Sequence, residues 1–405
     1  MDSSTDANML KSFSRLDNME DDEGKEKIEK KKKLLIAADN FLPRWDGVAR
    51  FLSEIIPDLK EQFEVTVIAP EYKGEYQEIE GVHVIRIPVS RIKIADYPIP
   101  KPGFAATIEH VMKTDIVFVN SIGPIGAIAI LSAHYQNKPI VSYVHSIEWE
   151  LFARALTQSK ILEKFIFSLS KIYMRFLYNK TSLIMVPNIE TGELLKYEGI
   201  KISKYVVHMG INVDKFKPPL NKKEVKAKVK INPDNFVIGY VGRLAREKNL
   251  ITLLNAFKQL KKKYKNINLL IVGDGLLSIK NQFADEKGVI LTGNTNDVVP
   301  YLQAMDAYVL PSLTETSSLS TMEAMSCGLP VIVTKVGGLK TYIDDKENGV
   351  FFPKKNVTVL TLKLEWLMKK EYVRTILGKN ARETIIGEFN WKKTVSSIKE
   401  VLGGF

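Results

Sequence analysis

Two series of short apolar runs, separated by longer amphipathic stretches, most constrain what this chain can fold into. The first series is Leu34–Ala38, Val65–Ala69, Val82–Pro88, Ile116–Val119 and Pro139–Val144. The second is Phe236–Val241, Asn268–Val272, Gly288–Leu291, Ala307–Leu310 and Pro330–Val333. Stretches of helical character, such as Val48–Leu59 and Asn249–Tyr264, lie between them. Short runs that are mostly apolar suit strands covered on both faces, and a helix between two such strands makes them parallel. The pattern predicts an α/β chain with two doubly wound parallel sheets facing across a cleft. Ligands of such sheets bind outside the carboxyl ends of the strands. A Lys-rich, Pro-containing segment, Asp214–Lys230, separates the series, and the hinge is expected near Ile211–Pro219.

Composition narrows the class. Hydrophobic residues at 45% and charged residues at 26% exclude a wholly disordered chain, a collagen and a coiled coil. Lys+Arg 58 against Asp+Glu 47 gives +11, which admits nucleic acid, an anionic membrane or a phosphorylated substrate as partner. Cys327 is the one cysteine, so no disulfide and no cysteine metal site is expected, and a reducing compartment suits the chain. The first thirty residues lack the apolar core of a secretory signal. No run reaches the ~18 apolar residues of a membrane span; Ile116–Leu131 is interrupted by Asn120 and Ser121. Residues 1–31, with Glu20-Asp21-Asp22-Glu23 running into Lys30–Lys33, are expected to be a disordered charged tail.

The second half carries the clearest chemistry. Gly242-Arg243 leaves a strand, and Lys248 follows across a turn that opens a helix. A planar fork and a point charge at the carboxyl end of a strand suit a diphosphate, although both would also serve as plain surface charges. Glu315 and Glu323 lie eight residues apart, with Ser and Thr residues leading into a helix that runs through Glu323 to Cys327. Were the whole segment helical, the spacing would be about 12 Å at ~1.5 Å per residue, roughly the separation of the two sugars in a nucleotide diphosphosugar. Backbone N–H groups at Leu319 and Ser320 would then face the phosphates. Carboxylates accept hydrogen bonds from sugar hydroxyls, yet an isolated pair also fits two exposed helix charges. Gly273-Asp274-Gly275 is part of a dinucleotide fingerprint, with Ser278 where a third glycine would stand. There is no Asp-x-Asp pair and only 5 His, so no metal is expected at a diphosphate site.

In this order, Gly242-Arg243 with Lys248, Gly273-x-Gly275, Pro311-Ser312, and Glu315 with Glu323 before Ala324-Met325-Ser326-Cys327-Gly328-Leu329-Pro330-Val331 resemble family 4 of the retaining glycosyltransferases, whose fold is GT-B. Gly337-Gly338 and Asn348-Gly349 continue the match, which runs from about Leu34 to Trp391. The resemblance implies an N-terminal Rossmann-like acceptor domain over 32–210 and a C-terminal Rossmann-like nucleotide-sugar domain over 211–388. A helix over 389–405 would pack back on the first domain. It implies that Arg243 and Lys248 hold the donor diphosphate, that Glu315 touches the transferred sugar and that Glu323 holds the ribose. Leu319 and Ser320 would offer amides to the phosphates. Gly47, in Phe41-Leu42-Pro43-Arg44-Trp45-Asp46-Gly47-Val48, resembles the family's glycine loop beside those phosphates, and His145 resembles a histidine beside the reacting sugar. Two departures stand out. Thr316-Ser317-Ser318 replaces the family's Gly-Phe-Gly or Gly-Phe-Pro, which makes the pocket edge more polar. Met209-Gly210-Ile211-Asn212 replaces its Asn-Gly-Val-Asp.

On a helical wheel of Lys160–Lys180, Leu162, Phe165, Ile166, Leu169, Ile172, Tyr173, Phe176 and Leu177 form one apolar stripe. Lys160, Lys164, Lys171 and Arg175 lie opposite, with Phe167, Met174 and Tyr178 among them. Cations mixed with large apolar side chains suit an anionic membrane surface, while a core-packed helix with a basic solvent face explains only the first stripe. The expectation is membrane or acceptor contact through the cationic face.

The function expected from all this is metal-free, retaining transfer of a hexose from a UDP- or GDP-sugar to a hydroxyl of a membrane lipid or lipid-linked glycan. The protein would be cytoplasmic and peripheral at the inner membrane face. The alternatives are a soluble sugar or polysaccharide acceptor and, more remotely, a nicotinamide dehydrogenase. No nucleic-acid motif accompanies the dispersed basic residues, so a nucleic-acid partner is not expected.

Overall fold

The structure, a computed structural model, describes residues 31–44, 46–94, 97–147, 149 and 160–405. The expected tail lies outside the described residues except for Lys31. The first sheet contains β1 (Lys32–Ala37), β2 (Phe63–Glu71), β3 (His83–Ile94), β4 (Tyr97–Pro100), β5 (Ile116–Val119), β6 (Ile140–Tyr143), β7 (Leu183–Val186) and β8 (Lys204–Val206). Their order is β4-β3-β2-β1-β5-β6-β7-β8. All pairs are parallel except β3 with β4. The second sheet contains β9 (Phe236–Val241), β10 (Ile267–Val272), β11 (Val289–Leu291), β12 (Ala307–Leu310), β13 (Val331–Thr334) and β14 (Val350–Phe352). Its order is β11-β10-β9-β12-β13-β14, all parallel. The chain is thus α/β with two doubly wound sheets. β5, β6 and β12 are buried at every position, as strands covered on both faces must be. In each sheet the strand order reverses beside the first strand, between β1 and β5 and between β9 and β12. Loops leaving the carboxyl ends there open a crevice.

Helices α1 (Gly47–Gln62), α2 (Phe104–Met112), α3 (Pro124–Tyr135), α4 (Lys160–Tyr178), α5 (Leu319–Ser326) and α6 (Trp391–Gly403) cover the first sheet or border the crevice. Asp46 caps α1, its carboxylate accepting from Val48 N (2.9 Å) and Ala49 N (3.0 Å). The buried stripe of α1, Phe51, Leu52, Ile55, Ile56 and Leu59, shares one core with Val395, Ile398 and Leu402 of α6. The last helix, which follows the second sheet in sequence, therefore packs on the first. Thr394 Oγ1 donates to His208 O (2.8 Å), and Lys399 pairs with Glu61 (2.6 Å). The two chain crossings are bonded to each other: Ile211 N donates to Phe389 O (2.8 Å) and Trp391 N to Ile211 O (3.0 Å). A Cβ on Gly210 would lie 2.4 Å from Asn390 O, so this close pass requires glycine.

On the opposite face of the first sheet, α3 and α4 contribute to a second core. Met174, Leu177 and Tyr178 of α4 are buried in it, and Phe167 packs against it. Lys171 pairs with Glu198. This corrects the expected orientation. Phe167, Met174 and Tyr178 anchor the helix to the core, and the richer apolar stripe faces outward, with Phe165 65% exposed. Lys160, Lys164 and Arg175 are exposed.

Candidate active site

In the second sheet, backbone loops cross with almost no clearance. A Cβ on Gly273 (φ +128°) would sit 2.1 Å from Gly242 O, and one on Gly275 2.3 Å from Leu244 O. Gly242 N donates to Val272 O (2.9 Å) and Leu244 N to Asp274 O (2.9 Å). The Gly-x-Gly after β10 therefore locks the β9 loop in place.

The turn Arg246–Lys248 is fastened to the loop after β12. Asn249 (φ +50°) donates from Nδ2 to Pro311 O (3.2 Å), and Leu313 N donates to Glu247 O (2.7 Å). Lys248 Nζ is thereby held 2.5 Å from Glu315 Oε1, which also accepts from Ser312 Oγ (2.6 Å). Gly337 and Gly338 back the same loop. A Cβ on Gly337 would meet Glu315 O at 1.5 Å, and one on Gly338 would meet Thr316 O at 2.0 Å. From the first sheet, Asn188 Nδ2 donates to Thr316 O (3.1 Å). Arg243 lies nearby in sequence but half-exposed, bonded to Glu247 (2.7 Å).

Glu315 is not helical with Glu323, as the 12 Å spacing assumed. The helix starts only at Leu319, capped by Ser318, whose Oγ accepts from Thr321 N (3.3 Å). Ser318, in the Thr316-Ser317-Ser318 departure, thus has a capping role. Leu319 and Ser320 are the first two residues of α5, where helical N–H groups have no carbonyl four residues back. Ser320 Oγ bonds Tyr308 OH (2.9 Å).

Glu323 sits one turn further in, buried, and its Oε1 accepts from Arg50 Nη1 of α1. Arg50 also bonds Glu54 (3.0 Å). Burial pushes the Glu323 carboxyl up, with Arg50 pulling against it. Burial alone would lower the Arg50 guanidinium; the facing Glu323 and Glu54 outweigh it, and Arg50 stays charged.

From the first sheet, His145 follows β6, with Nε2 3.1 Å from Asn120 Oδ1. Its ring lies 4.8 Å from Phe51 and 4.6 Å from Tyr143, and this enclosure lowers its pKa to about 3. The imidazole is neutral. Adjacent residues of α1 thus contact both sides: Phe51 touches His145 and Arg50 holds Glu323. Gly47 opens α1, and the space its Cβ would take is empty. Asp39 accepts from Gly123 N (2.8 Å), Ile125 N (2.8 Å) and Gly126 N (3.0 Å) at the start of α3. Burial outweighs those bonds and raises its pKa to about 6.

The structure therefore joins Lys248 with Glu315, Glu323 with α1, and α1 with His145. It places α4 apart from them, in a different core. Arg50, Asp39, Asn120 and Asn188 were not singled out in the sequence. A cation in the first turn of α1, where the helix dipole disfavours it, is the one signal that Arg50 needs an anionic partner. Among the described residues no cluster of three or more His, Cys, Asp or Glu could hold a metal.

Comparison with known proteins gives the family. Residues 45–215 match the family described as Glycosyltransferase Family 4, and residues 221–384 match Glycosyl transferases group 1. The chain belongs to glycosyltransferase family 4, and its fold is GT-B. The UDP-Gal:alpha-D-GlcNAc-diphosphoundecaprenol alpha-1,3-galactosyltransferase of Escherichia coli is 32% identical over 197 residues, 46% of this chain and 51% of that protein. The chain spans about half the length of the first curated relatives it matches. The GDP-mannose-dependent alpha-(1-6)-phosphatidylinositol monomannoside mannosyltransferase of Mycolicibacterium smegmatis is 23% identical over 406 residues, covering 92% of this chain and 98% of that protein. The Anabaena protein HepE, solved in complex with UDP and glucose, superimposes with a TM-score of 0.76 at 17% identity, covering 92% of this chain and 100% of that one.

Proposed function

We propose that this protein transfers a hexose from a UDP- or GDP-sugar to a hydroxyl of a membrane lipid or lipid-linked glycan, with retention of configuration. The observation that carries this is Lys248 clamped to Glu315 ahead of an α5 whose first turns hold Leu319, Ser320 and the buried Glu323. Arg243 and Lys248 meet the donor diphosphate, together with the amides of Leu319 and Ser320. Glu323 receives the ribose hydroxyls and Glu315 the hydroxyls of the transferred sugar. The open space at Gly47 lets backbone approach the phosphates. His145, being neutral, offers a hydrogen bond to the sugar without placing a second cation there.

In the transfer, the bond from the sugar C1 to phosphate oxygen breaks and a bond from C1 to the acceptor oxygen forms on the same face. The acceptor proton passes to the departing phosphate. Charge growing on that phosphate is stabilised by fixed cations and amides, which need no reorganisation during reaction, so no metal is required. Movement about the bonded crossings at Ile211 and Asn390 would close the crevice and exclude water.

The lipid acceptor is supported by what the Escherichia coli and Mycolicibacterium relatives are named for. No helix among the described residues is long and apolar enough to cross a membrane; the contact proposed here is peripheral, at the cytoplasmic face. The dehydrogenase alternative loses its one motif, because Gly273 and Gly275 serve loop packing. Incubation with each nucleotide sugar and with lipid or soluble acceptors tests the proposal. A labelled lipid product with the donor's anomeric configuration is expected. Inversion, or transfer to soluble sugars alone, contradicts it.

A further inference from the structure

The outward face of α4 is built the wrong way round for a helix facing water. Ile161, Leu162, Phe165, Leu169, Ile172, Tyr173 and Phe176 are all between 43% and 84% exposed. At 100° per residue they span an arc of about 120°. Lys164 and Arg175 follow along one edge of that arc, and Glu163 is the only acidic residue on the helix. Exposed apolar side chains also stand on neighbouring helices. Phe104, Ile108 and Met112 of α2 and Leu131 and Tyr135 of α3 are exposed, α2 packs on α3, and α3 packs on α4. Apolar side chains exposed to this extent along three packed helices mark an interaction site.

At the C-terminal end of the ridge is an open pocket of about 400 Å³ lined by Ile172, Arg175, Phe176, Asn179 and Lys180. Arg175 lies against Gly199, where a Cβ would come 3.1 Å from its Cδ, and Lys180 Nζ stands 4.8 Å from the centre of the Phe176 ring. Asn179 is used within the fold, bonding Gly199 O and Lys201 N. Among the described residues neither Arg175 nor Lys180 has a carboxylate partner, whereas Lys171, on the inner side, has Glu198. Two cations with no carboxylate partner among the described residues, beside an apolar ridge, match a phosphate held at the depth of a bilayer headgroup, with acyl chains beside it. A protein partner would need an acidic and apolar surface of the same shape; a bilayer with anionic lipid supplies both along any stretch.

We propose that the outward faces of α2, α3 and α4 dock on an anionic lipid bilayer, and that Arg175 and Lys180 hold a lipid phosphate in the pocket beside Ile172 and Phe176. This deepens the lipid-acceptor proposal and rests on it for its purpose, but its test needs no donor and no transfer.

The full chain is sedimented with phosphatidylcholine vesicles, with and without phosphatidylglycerol, in low and high salt. Binding that requires phosphatidylglycerol and weakens with salt is expected. Arg175→Ala and Lys180→Ala should each weaken it about fivefold, the contribution of one cation at an anionic surface. Phe165→Asp with Ile172→Asp should abolish it while circular dichroism and the thermal response to nucleotide stay unchanged. These variants lie on exposed positions outside the transfer site, so retained nucleotide response separates a failed docking surface from a failed enzyme assignment. Three outcomes would overturn the proposal. One is no vesicle binding. Another is saturation of Arg175 and Lys180 by inorganic phosphate without vesicle binding. The third is a concentration-dependent dimer that Phe165→Asp dissociates.

Discussion

Arg50 and Glu323 form an ion pair that joins the first turn of α1, on one sheet, to the middle of α5, on the other. The residue assigned to the donor ribose is thus already held by a guanidinium from the opposite domain. Both side chains are largely buried, at 16% and 2% exposure. Removing one partner of a buried pair leaves the other charge uncompensated. Arg50→Ala should therefore destabilise the protein by about 3 kcal/mol, read from denaturant unfolding. Adding Glu323→Gln should recover part of that loss. A change below ~0.5 kcal/mol, as for a surface pair, would mean the pair contributes nothing to joining the domains.

Lys248→Ala and Glu315→Gln should separate in their effects. Lys248→Ala should weaken nucleoside diphosphate binding about tenfold, the effect of one charge-assisted hydrogen bond, as measured by calorimetry. Glu315→Gln should reduce transfer far more than it reduces nucleoside diphosphate binding, since in the proposed site the sugar is the part of the donor that meets Glu315. EDTA should leave transfer intact. Equal losses in binding and transfer for Glu315→Gln would move that residue out of the sugar site.

His145 gives a pH prediction with a definite sign. Its folded pKa of about 3 lies below the ordinary 6.5, so the unfolded chain binds the extra proton first. Its contribution to stability is complete above about pH 6.5 and is lost as pH falls toward 3. Asp39 acts oppositely: raised from 3.8 to about 6, it favours the folded state at low pH and loses that effect as pH rises through 6. The difference between wild type and His145→Gln isolates the histidine. Unfolding free energies at pH 7 and pH 4.5 should show the variant losing less than wild type on acidification. An equal loss would mean the imidazole is not enclosed.

Cys327 is buried at the end of α5, and burial, with Glu323 nearby, pushes its thiol up to about 12. It should react with thiol reagents only on unfolding, because the thiolate is the reactive form. Cys327→Ser should keep its transfer activity. Rapid labelling of the native protein would contradict this.

Much of the fold was legible because parallel strands buried on both faces appear in sequence as continuous apolar runs, as in Ile116–Val119 and Ala307–Leu310. The orientation of α4 was not. A wheel separates two faces but does not say which one meets the protein. Phe167, Met174 and Tyr178, out of place on the cationic face, were the residues that showed it. The Lys248–Glu315 pairing fits the motif order, whereas Arg50–Glu323 joins positions 273 residues apart with no local pattern linking them. Gly337-Gly338 was visible as a motif, but its role depends on how closely it passes the Glu315 carbonyl, which only the fold brings about.

The most direct test is a thermal-shift screen of the full chain with UDP, GDP, ADP, their sugars and NAD, without metal. A ligand that binds only the folded state raises the midpoint by mass action. A rise with one nucleoside diphosphate and its sugar, absent with NAD and reduced in Lys248→Ala, is the predicted result. No shift with any of these nucleotides in a folded sample would contradict the assignment of Arg243, Lys248 and Glu323 to a nucleotide-sugar site.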